Sequence, residues 1–370
     1  MSKFRLEFKL KQHTPIIHFQ SDQNGATLRA TELKPKLDRF ITEELININN
    51  ELYQEYKEII EDENIFPKDK GCNQYQLSVL ALGKNVFSTP KAYVNKRKEE
   101  DKTAYQAPYF SDLKSIICEE EISVTIKSFH TKLLKLLYKC KDYIFIYENF
   151  GTRQSKGFGS FMRNDINSNE IKNILQEYKN PIFTLGGYSN YQDAFEKIDI
   201  FYKELKMGIN KPYKKSLLFQ YMCDRNNLGW EKKFLKNKFP QIIHGTHSPL
   251  VCSEPDDKEF KYIRIVLGLA EINEYRPLAG KKQIKIESLE RDEKDSRKSK
   301  YQRFKSPLTF KIFNGSIYVL FNTSYEDILN KKFNFSLNGK KETLSTPTDF
   351  DIYDFLQFVE TKVNNFKEIK

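Results

Sequence analysis

A glycine-rich stretch in the middle of the chain, residues 150–161 (FGTRQSKGFGSF), has the residue types that bind phosphate. Its three glycines can adopt positive φ, which would let successive backbone N–H groups face one concavity. Arg153 and Lys156 would add positive charge to that concavity. An ordinary glycine-rich turn with exposed cations has the same composition, so this stretch alone leaves both interpretations open.

The two common nucleotide-binding motifs do not fit this stretch. A P-loop requires a lysine directly after its last glycine, and here Gly157 is followed by Phe158. A dinucleotide fingerprint, G-x-G-x-x-G, would need a glycine where Met162 stands. Any phosphate bound here is therefore held in another way.

Histidine is the side chain best suited to acid–base chemistry near neutral pH, and the sequence contains five. His13 and His18 flank a Thr-Pro turn, where one of them could act as a general base or acid, with Lys36 or a tyrosine as helper. A histidine near a turn is more often only a hydrogen-bonding surface group.

A second group of candidate ligands lies in HGTHSPLVC, which contains His244, His247 and Cys252. Cys223 could complete a zinc site with them in space. The spacing fits no standard zinc pattern, and a polar loop explains it equally well. We expect no metal and no cofactor.

Charge and composition indicate the kind of partner. The 370 residues include 61 Lys and Arg against 50 Asp and Glu, a formal net charge of +11 that favours polyanions. Aromatic residues make up 14% of the chain, and aromatic and basic groups together can stack on bases and neutralise phosphates. An AT-rich genome would produce a similar composition, so nucleic acid is favoured without being established.

The sequence also bears on the compartment. The longest apolar runs are far shorter than the roughly 20 residues that span a bilayer, and the N-terminus lacks the apolar core of a signal peptide. The five cysteines are scattered without a CxxC spacing, which argues against a disulfide framework. We expect a cytoplasmic protein with reduced thiols and no membrane partner.

The elements that would position these residues follow from periodicity. Alternating apolar residues from Phe4 to Leu10 predict an opening strand. Leu33, Leu37, Phe40 and Ile41 recur at helical spacing, and Pro35 is best tolerated in a first turn, so we predict a helix that begins near Lys34. Its first turns would then carry cations, which the helix dipole disfavours unless an anion binds there.

The rest of the chain alternates predicted strands and helices. The predicted strands are residues 121–129, 142–150, 260–271, 306–313 and 315–323, and the predicted helices are residues 130–140, 167–178, 190–208 and 349–366. The last two strands are separated by Asn314-Gly315, a hairpin signal, whereas residues 84–112 predict a long excursion or loose hairpin. This order predicts an α+β protein with two βαββαβ units joined near residue 180.

The glycine-rich stretch resembles a known family of loops. Its pattern G-x-R-x-x-x-G-F-G-S, from Gly151 to Ser160, is similar to the glycine-rich loop of the RAMP superfamily, the RNA-binding proteins of CRISPR systems. Its position in the middle of the chain resembles the family of first subunits of the type III-B (Cmr) effector complex, which has two ferredoxin-like domains in tandem.

Two further stretches resemble the same family. Thr14-Pro15 followed by LRATELKPKLDRF is similar to its early TP segment, whose basic positions fall on Arg29, Lys34 and Arg39. RFKSPLTFKIF, which begins with Arg303, is similar to its late R-x-x-SPL strand. The sequence departs from the family at Pro35, where glycine is expected, and in DRFITEE, where the family has a tryptophan-rich segment.

The resemblance implies a fold: α+β, with two tandem ferredoxin-like (RRM-like) βαββαβ domains, a glycine-rich loop and long insertions. The first domain would be residues 1–180 and carry the loop. The second would be residues 181–370 and carry a helical insertion.

The resemblance also implies a non-catalytic RNA-binding subunit that binds guide (CRISPR) RNA near its 3′ part, helps engage target RNA and contacts other RAMP subunits. The residues expected to bind RNA are Arg29, Lys34, Lys36, Arg39, Gly151, Arg153, Lys156, Gly157, Phe158, Gly159, Ser160 and Arg303. A flexible flap near the RNA could come from the basic run Lys91, Lys96, Arg97 and Lys98, which would equally suit a solvated loop.

Two alternatives remain open at this point. The chain could be a metal-independent endoribonuclease that processes CRISPR precursor RNA, with His13 or His18 in the active site. It could also be a binding module for an unrelated RNA or for protein only.

Overall fold

The computed structural model describes residues 4–18, 27–67, 71–81, 85–88, 115–210, 213–242, 259–275, 280–292, 295, 297–301 and 303–369. Within these residues no helix is both long and apolar enough to cross a membrane. The contacts between residues divide the chain into two compact units: residues 1–198, 309–320 and 365–370 form the first, and residues 199–308 and 321–364 form the second.

The strands are short and spread along the chain. They are β1 Arg5–Gln12, β2 Ile16–Ile17, β3 Gln76–Ala81, β4 Asn85–Ser88, β5 Ser115–Cys118, β6 Ile122–Lys127, β7 Phe161–Arg163, β8 Ile182–Gly187, β9 Ile209–Asn210, β10 Tyr213–Lys214, β11 Leu228–Trp230, β12 Glu259–Lys261, β13 Ile272–Tyr275, β14 Lys282–Ser288, β15 Leu308–Phe313, β16 Ser316–Phe321, β17 Lys332–Leu337, β18 Lys340–Ser345 and β19 Lys367–Ile369.

The helices alternate with these strands. They are α1 Ala30–Arg39, α2 Leu45–Ile48, α3 Asn50–Glu55, α4 Lys57–Ile60, α5 Thr131–Tyr147, α6 Ser168–Glu177, α7 Tyr191–Lys206, α8 Leu217–Asn226, α9 Glu231–Lys238 and α10 Ile352–Lys362. Short π or 3-10 turns occur at Phe40–Glu44, Pro240–Ile242, Ile263–Leu267 and Ser324–Ile328.

The first unit contains an antiparallel sheet with the strand order β3-β6-β1-β7. The predicted opening strand is confirmed as β1, in which Leu6 and Leu10 are buried and Phe8 is half-buried, whereas Glu7 and Lys9 between them are exposed. One face of β1 therefore packs in the core, where Phe8 contacts Phe145 of α5 with ring centroids 6.1 Å apart.

Helix α1 begins earlier than the sequence predicts. Its N-cap is Arg29, so Pro35 lies inside the helix and removes one backbone hydrogen bond. Glu32 is then in the first turn, and Lys36 and Arg39 are in the last turn, where the helix dipole favours cations. The predicted conflict between the cations and the helix dipole is therefore wrong, and it no longer indicates an anion site.

The predicted strand at residues 142–150 is also wrong, because α5 continues through it to Tyr147. Every residue from Cys140 to Tyr147 is buried, and no charged residue occurs from Tyr143 to Tyr147, so this end of the helix has no exposed polar face. A continuous apolar run of this kind has no period that distinguishes a buried helix from a buried strand. The glycine-rich stretch therefore follows a helix.

Two more sheets belong largely to the first unit, with the strand orders β15-β16-β8-β19 and β2-β5-β4. The hairpin between β15 and β16 is confirmed: Asn314 and Gly315 have φ of 47° and 73°, as a two-residue turn of this type requires. The predicted excursion at residues 84–112 lies mostly outside the described residues, although β4 at its start pairs antiparallel with β5, which follows it.

The second unit contains the antiparallel sheet β13-β14-β17-β18 and the parallel pair β11-β12. The predicted strand at residues 260–271 is mostly wrong, since only β12 and a 3-10 turn form there. The cause is the buried Glu231 carboxylate, which accepts a hydrogen bond from the N–H of Ile263 at 3.1 Å and pairs with Arg264. The chain turns around this charge instead of continuing as a strand.

The described residues thus form a mixed α+β structure with several antiparallel sheets, and the predicted helices near residues 167–178, 190–208 and 349–366 are present as α6, α7 and α10. Both compact units include separate segments of the chain. The division into domains 1–180 and 181–370 stays a prediction.

Candidate functional site

The glycine-rich loop, residues 150–161, is held against the Thr14-Pro15 turn by backbone hydrogen bonds. The N–H of Gly159 donates to the carbonyl of Pro15 at 2.9 Å, and the N–H of Thr152 donates to the carbonyl of Ile17 at 2.7 Å. The N–H of His13 donates in turn to the carbonyl of Ser160 at 2.9 Å. Two stretches separated by more than a hundred residues therefore form one local structure.

The side chain of Thr14 links the two stretches. Its buried Oγ1 donates to the carbonyl of Gly157 at 2.7 Å and accepts from the N–H of Ser160 at 2.9 Å. Both groups would be buried without a partner if the hydroxyl were removed. The Thr-Pro turn is thus a support for the loop.

The loop glycines adopt positive φ, as predicted, but for a different purpose. A Cβ on Gly159 would lie 1.9 Å from the carbonyl oxygen of Phe150, and a Cβ on Gly157 would lie 2.7 Å from Ile312. These glycines allow the loop to pass close to other atoms of the protein.

Most backbone N–H groups of the loop are not open to a ligand, in contrast to the predicted cradle. Backbone N–H groups that donate to protein acceptors are those of Phe150, Gly151, Thr152, Lys156, Gly157, Gly159 and Ser160. A phosphate could bind to these groups only by displacing the hydrogen bonds that hold the loop. Side chains on the loop surface are the better candidates for ligand contact.

Lys36 connects α1 to both ends of the loop. Its ammonium donates to the carbonyl of Asn149 at 2.6 Å and to Oε1 of Gln154 at 3.0 Å, and it pairs with the carboxylate of Glu148. Only 11% of the Lys36 side chain is exposed. The position predicted to bind RNA therefore has a structural role.

A second buried lysine lies beneath the loop and was missed by sequence reasoning. Lys311 is fully buried in β15 and donates to the carbonyl of Glu148 at 2.6 Å. Burial lowers the pKa of its ammonium well below the ordinary value, although nearby Glu148 raises it. The sequence does contain a signal for this buried cation, because Lys311 interrupts the otherwise largely apolar run LTFKIF.

Strand β15 reaches the loop through its backbone as well. The side chain of Asn149 donates to the carbonyls of Gln154 and Phe310, at 2.7 and 2.8 Å. Lys156 forms a parallel bridge with Phe310. The strand of the SPL stretch, the Thr-Pro turn and the glycine-rich loop, which are the three stretches that resemble one family, therefore meet in the first unit.

Several residues predicted to bind RNA are internal. Phe158 is 3% exposed and stacks on Phe195 with ring centroids 4.2 Å apart, so its ring faces the protein. Ser160 is fully buried, and the Nζ atom of Lys156 is buried too. These side chains support the loop, and their predicted contact with RNA does not fit this arrangement.

The remaining predicted contacts lie at or near the surface. Arg39 is exposed, Arg153 is half-buried with φ of 60°, and the Arg29 guanidinium lies 4.0 Å from the carboxylate of Glu32. Lys34 lies 3.3 Å from Asp38 and over the ring of Tyr75. Arg303 is exposed and belongs to the second unit.

The two histidines near the Thr-Pro turn are poor candidates for acid–base chemistry. Burial, with smaller contributions from Lys311 and Lys11, lowers the pKa of His13 to about 4. His13 is therefore neutral near pH 7 and cannot supply a proton there. His18 is 2% exposed and is not available to a substrate.

Three of the candidate zinc ligands, His244, His247 and Cys252, lie outside the described residues, as does the basic run from Lys91 to Lys98. The fourth candidate ligand, Cys223, is buried, with Sγ 2.7 Å from the carbonyl oxygen of Leu228. Across the described part of the chain, no three His, Cys, Asp or Glu residues are grouped so that they could hold a metal ion.

The loop pattern G-x-R-x-x-x-G-F-G-S resembles the RAMP superfamily, and its central position and the Thr-Pro turn that supports it resemble the first subunits of type III-B (Cmr) complexes. The chain belongs to the Cmr1 family of type III-B (Cmr) CRISPR effector subunits: residues 3–209 match the Cmr1 N-terminal domain and residues 213–369 match the Cmr1 C-terminal domain. The family resemblance of the sequence motifs is thereby confirmed.

Solved structures with partial similarity include the apo crystal structure of Cmr1 from Pyrococcus furiosus, with 12% sequence identity and a TM-score of 0.45 over 99% of this chain and 98% of that one. A cryo-EM structure of the type III-B Cmr-beta complex bound to cognate target RNA contains a chain with 13% identity and a TM-score of 0.27, over 44% of this chain and 60% of that one. No curated protein sequence matches the chain.

Proposed function

We propose that this protein is a non-catalytic RNA-binding subunit of a type III-B CRISPR effector complex. It would act in the cytoplasm, bind guide RNA near its 3′ part, help engage target RNA and contact other RAMP subunits. The observation that carries the proposal is the family match over residues 3–209 and 213–369. The net charge of +11 supports a polyanionic partner.

The geometry of the loop supports this role. Its buried part, residues 157–160, is fixed by Thr14, whereas its outer part, residues 151–156, is half-buried or exposed and includes Arg153. A loop held in this way loses little conformational freedom when it binds a ligand. We propose that Arg153 and Arg39 contact the RNA backbone.

We also propose that the chain contains two tandem ferredoxin-like domains. The element order β1-α1-β3-β6-α5-β7 combines with the sheet order β3-β6-β1-β7, and β8-α7-β15-β16-α10-β19 combines with β15-β16-β8-β19. Each set is a βαββαβ unit in which the first strand lies between the third and the fourth. Helices α8 and α9 would belong to the insertion between α7 and β15.

The first experiment is to express the protein with and without its operon neighbours and to sequence the RNA that co-purifies. Repeat-spacer RNA is expected in the assembled complex. An assembled complex without that RNA would remove the proposed function.

The second experiment tests the loop surface. In a double variant, Arg39→Ala and Arg153→Ala, the slope of log affinity against log salt is expected to become shallower by about 0.7 for each phosphate that is no longer neutralised. The control is Lys172→Ala with Lys332→Ala, two exposed cations elsewhere, which should keep the wild-type slope. Equal slopes in both variants would assign RNA binding to another surface.

The third experiment tests the non-catalytic role. A repeat-containing RNA incubated with the protein in EDTA at several pH values is expected to remain uncut, because His13 is held neutral and His18 is buried. Specific cleavage would replace the proposal with an endoribonuclease.

A further inference from the structure

Two phenylalanines at one end of β1 have exposed side chains. Phe129, in the turn between β6 and α5, is 91% exposed, and Phe4, just before β1, is 42% exposed. Their ring centroids are 5.7 Å apart. A large aromatic side chain left this open contributes little to folding, which points to a ligand or partner.

These rings line a concavity of about 500 Å³ whose charged lining residues are Arg5 and Lys127. A neighbouring concavity of about 740 Å³ shares Arg5 and is lined further by Tyr56, Lys135, Tyr138 and Lys139. Tyr138 is 45% exposed. The shared arginine makes the two concavities one continuous surface, called here the aromatic track.

Cations dominate the aromatic track. Its charged lining residues are Arg5, Lys127, Lys135 and Lys139, with Glu7 as the single carboxylate. Glu7 pairs with Arg5, and Glu55 outside the lining pairs with Lys139 at 2.7 Å, but all four side chains are about half exposed. Exposed ion pairs of this kind are weak, so a phosphate could replace a carboxylate at little cost.

The track ends at Tyr138. A third concavity of about 600 Å³ shares Glu7 and Tyr138, but in it Lys9, Lys141 and Arg163 are balanced by Glu7, Glu121 and Asp165. Among these three concavities, the excess of positive charge therefore lies in the two where aromatic rings and cations alternate.

We propose that the aromatic track binds single-stranded RNA, with bases stacked on Phe129 and Tyr138 and the backbone along Lys127, Lys135 and Lys139. Alternating aromatic and cationic groups are what sequence-tolerant binding of single strands requires. From Thr131 to Tyr138, α5 rises about 10 Å, a length that about three stacked nucleotides cover. A protein partner would not require this excess of cations.

This inference rests on the proposed function and deepens it, because it gives the RNA a second contact surface away from the glycine-rich loop. The excess positive charge would draw the strand to this face, and the exposed rings would then hold its bases.

The test uses the full chain and a fluorescently labelled 12-nucleotide oligouridylate. Phe129→Ala is expected to weaken binding about 5- to 140-fold, which corresponds to the loss of one base stack. The matched control is Ile200→Ala, which removes an exposed apolar side chain elsewhere, 53% exposed on α7. Ultraviolet crosslinking is expected to attach RNA to peptides that contain Phe129 or Tyr138.

A second variant tests the charge. Lys135→Ala is expected to make the slope of log affinity against log salt shallower by about 0.7, whereas Lys172→Ala, an exposed cation on α6, should leave it unchanged.

If the wild-type protein binds RNA, and Phe129→Ala binds it with the same affinity as Ile200→Ala, the aromatic track is overturned and the proposed function is not. The aromatic track is also overturned if the Phe129→Ala variant binds RNA with unchanged affinity but the assembled complex loses another subunit. That result would assign the surface to a protein partner. If the wild-type protein binds no RNA, alone or assembled, the proposed function and this inference fail together.

Discussion

Gly159 is the residue of the glycine-rich loop with the least space. Its φ is 69°, and a Cβ there would lie 1.9 Å from the backbone oxygen of Phe150. Gly159→Ala is therefore expected to lower the free energy of unfolding by about 3 kcal/mol or more, because positive φ costs about 1–2 kcal/mol and the clash adds to it.

Urea denaturation measures this loss, and Gly339→Ala is the matched control. Gly339 has φ of 82°, but a Cβ added there would meet open space. Its substitution should therefore cost only the free energy of holding a non-glycine residue at positive φ. Equal losses in the two variants would contradict the close approach at Gly159.

His13 predicts a pH dependence of stability. Its pKa is about 4 in the folded protein, compared with about 6.5 in an unfolded chain. Between these values only the unfolded chain takes up a proton, so the free energy of unfolding falls as pH drops through this window, by up to about 1.4 kcal/mol per pH unit.

The measurement is urea denaturation at pH 7 and pH 5. Wild type is expected to lose about 2 kcal/mol more than His13→Asn over this interval, since the variant has no group to protonate there. Identical losses would show that His13 is not held neutral.

At the scale of single residues, the sequence indicated where the loop lies but not which of its atoms are accessible. Gly151, Gly157 and Gly159 were predicted to adopt positive φ, and they do. Whether Phe158 and Lys36 point outward depends on Phe195 and Glu148, residues whose proximity is set by tertiary packing. Composition and spacing contain no information about that packing.

At the scale of elements, the contact between α1 and the loop depends on Lys36. Lys36→Ala would leave the carboxylate of Glu148, only 19% exposed, without this partner. The expected loss in the free energy of unfolding is about 2–4 kcal/mol, typical of a broken and largely buried ion pair.

Lys57→Ala provides the control in a thermal or urea denaturation series. Its pairing with Glu61 is about half exposed and 3.8 Å long, so less than about 1 kcal/mol should be lost. If Lys36→Ala also lowers the free energy of unfolding by less than about 1 kcal/mol, Lys36 does not hold α1 to the loop.

Elements with a clear local signal were predictable. The Asn314-Gly315 hairpin and the alternating strand β1 are set by turn chemistry and by a period of two. Residues 143–147 gave no such signal, because a helix end that is buried on all sides has no exposed polar face. The start of α1 was misplaced because Pro35 is tolerated inside this helix instead of in its first turn.

At the scale of the whole molecule, the charge of +11 predicts strongly salt-dependent RNA binding. If four to six phosphates are contacted, log affinity should fall with log salt with a slope of about −3 to −4. Fluorescence anisotropy between 50 and 500 mM salt, roughly one decade, measures this slope. A slope near zero would show that the surplus charge does not face the RNA.

The linking of the loop to β15 has a consequence for synthesis of the protein on the ribosome. The amide of Asn149 and the carbonyl of Glu148 find their partners at Phe310 and Lys311, about 160 residues later. A nascent chain that already contains all of residues 3–209 still lacks the strand that satisfies these groups. Assembly of the glycine-rich loop must therefore wait until Phe310 and Lys311 have been synthesised, and a fragment that ends at residue 209 should expose the loop to proteases.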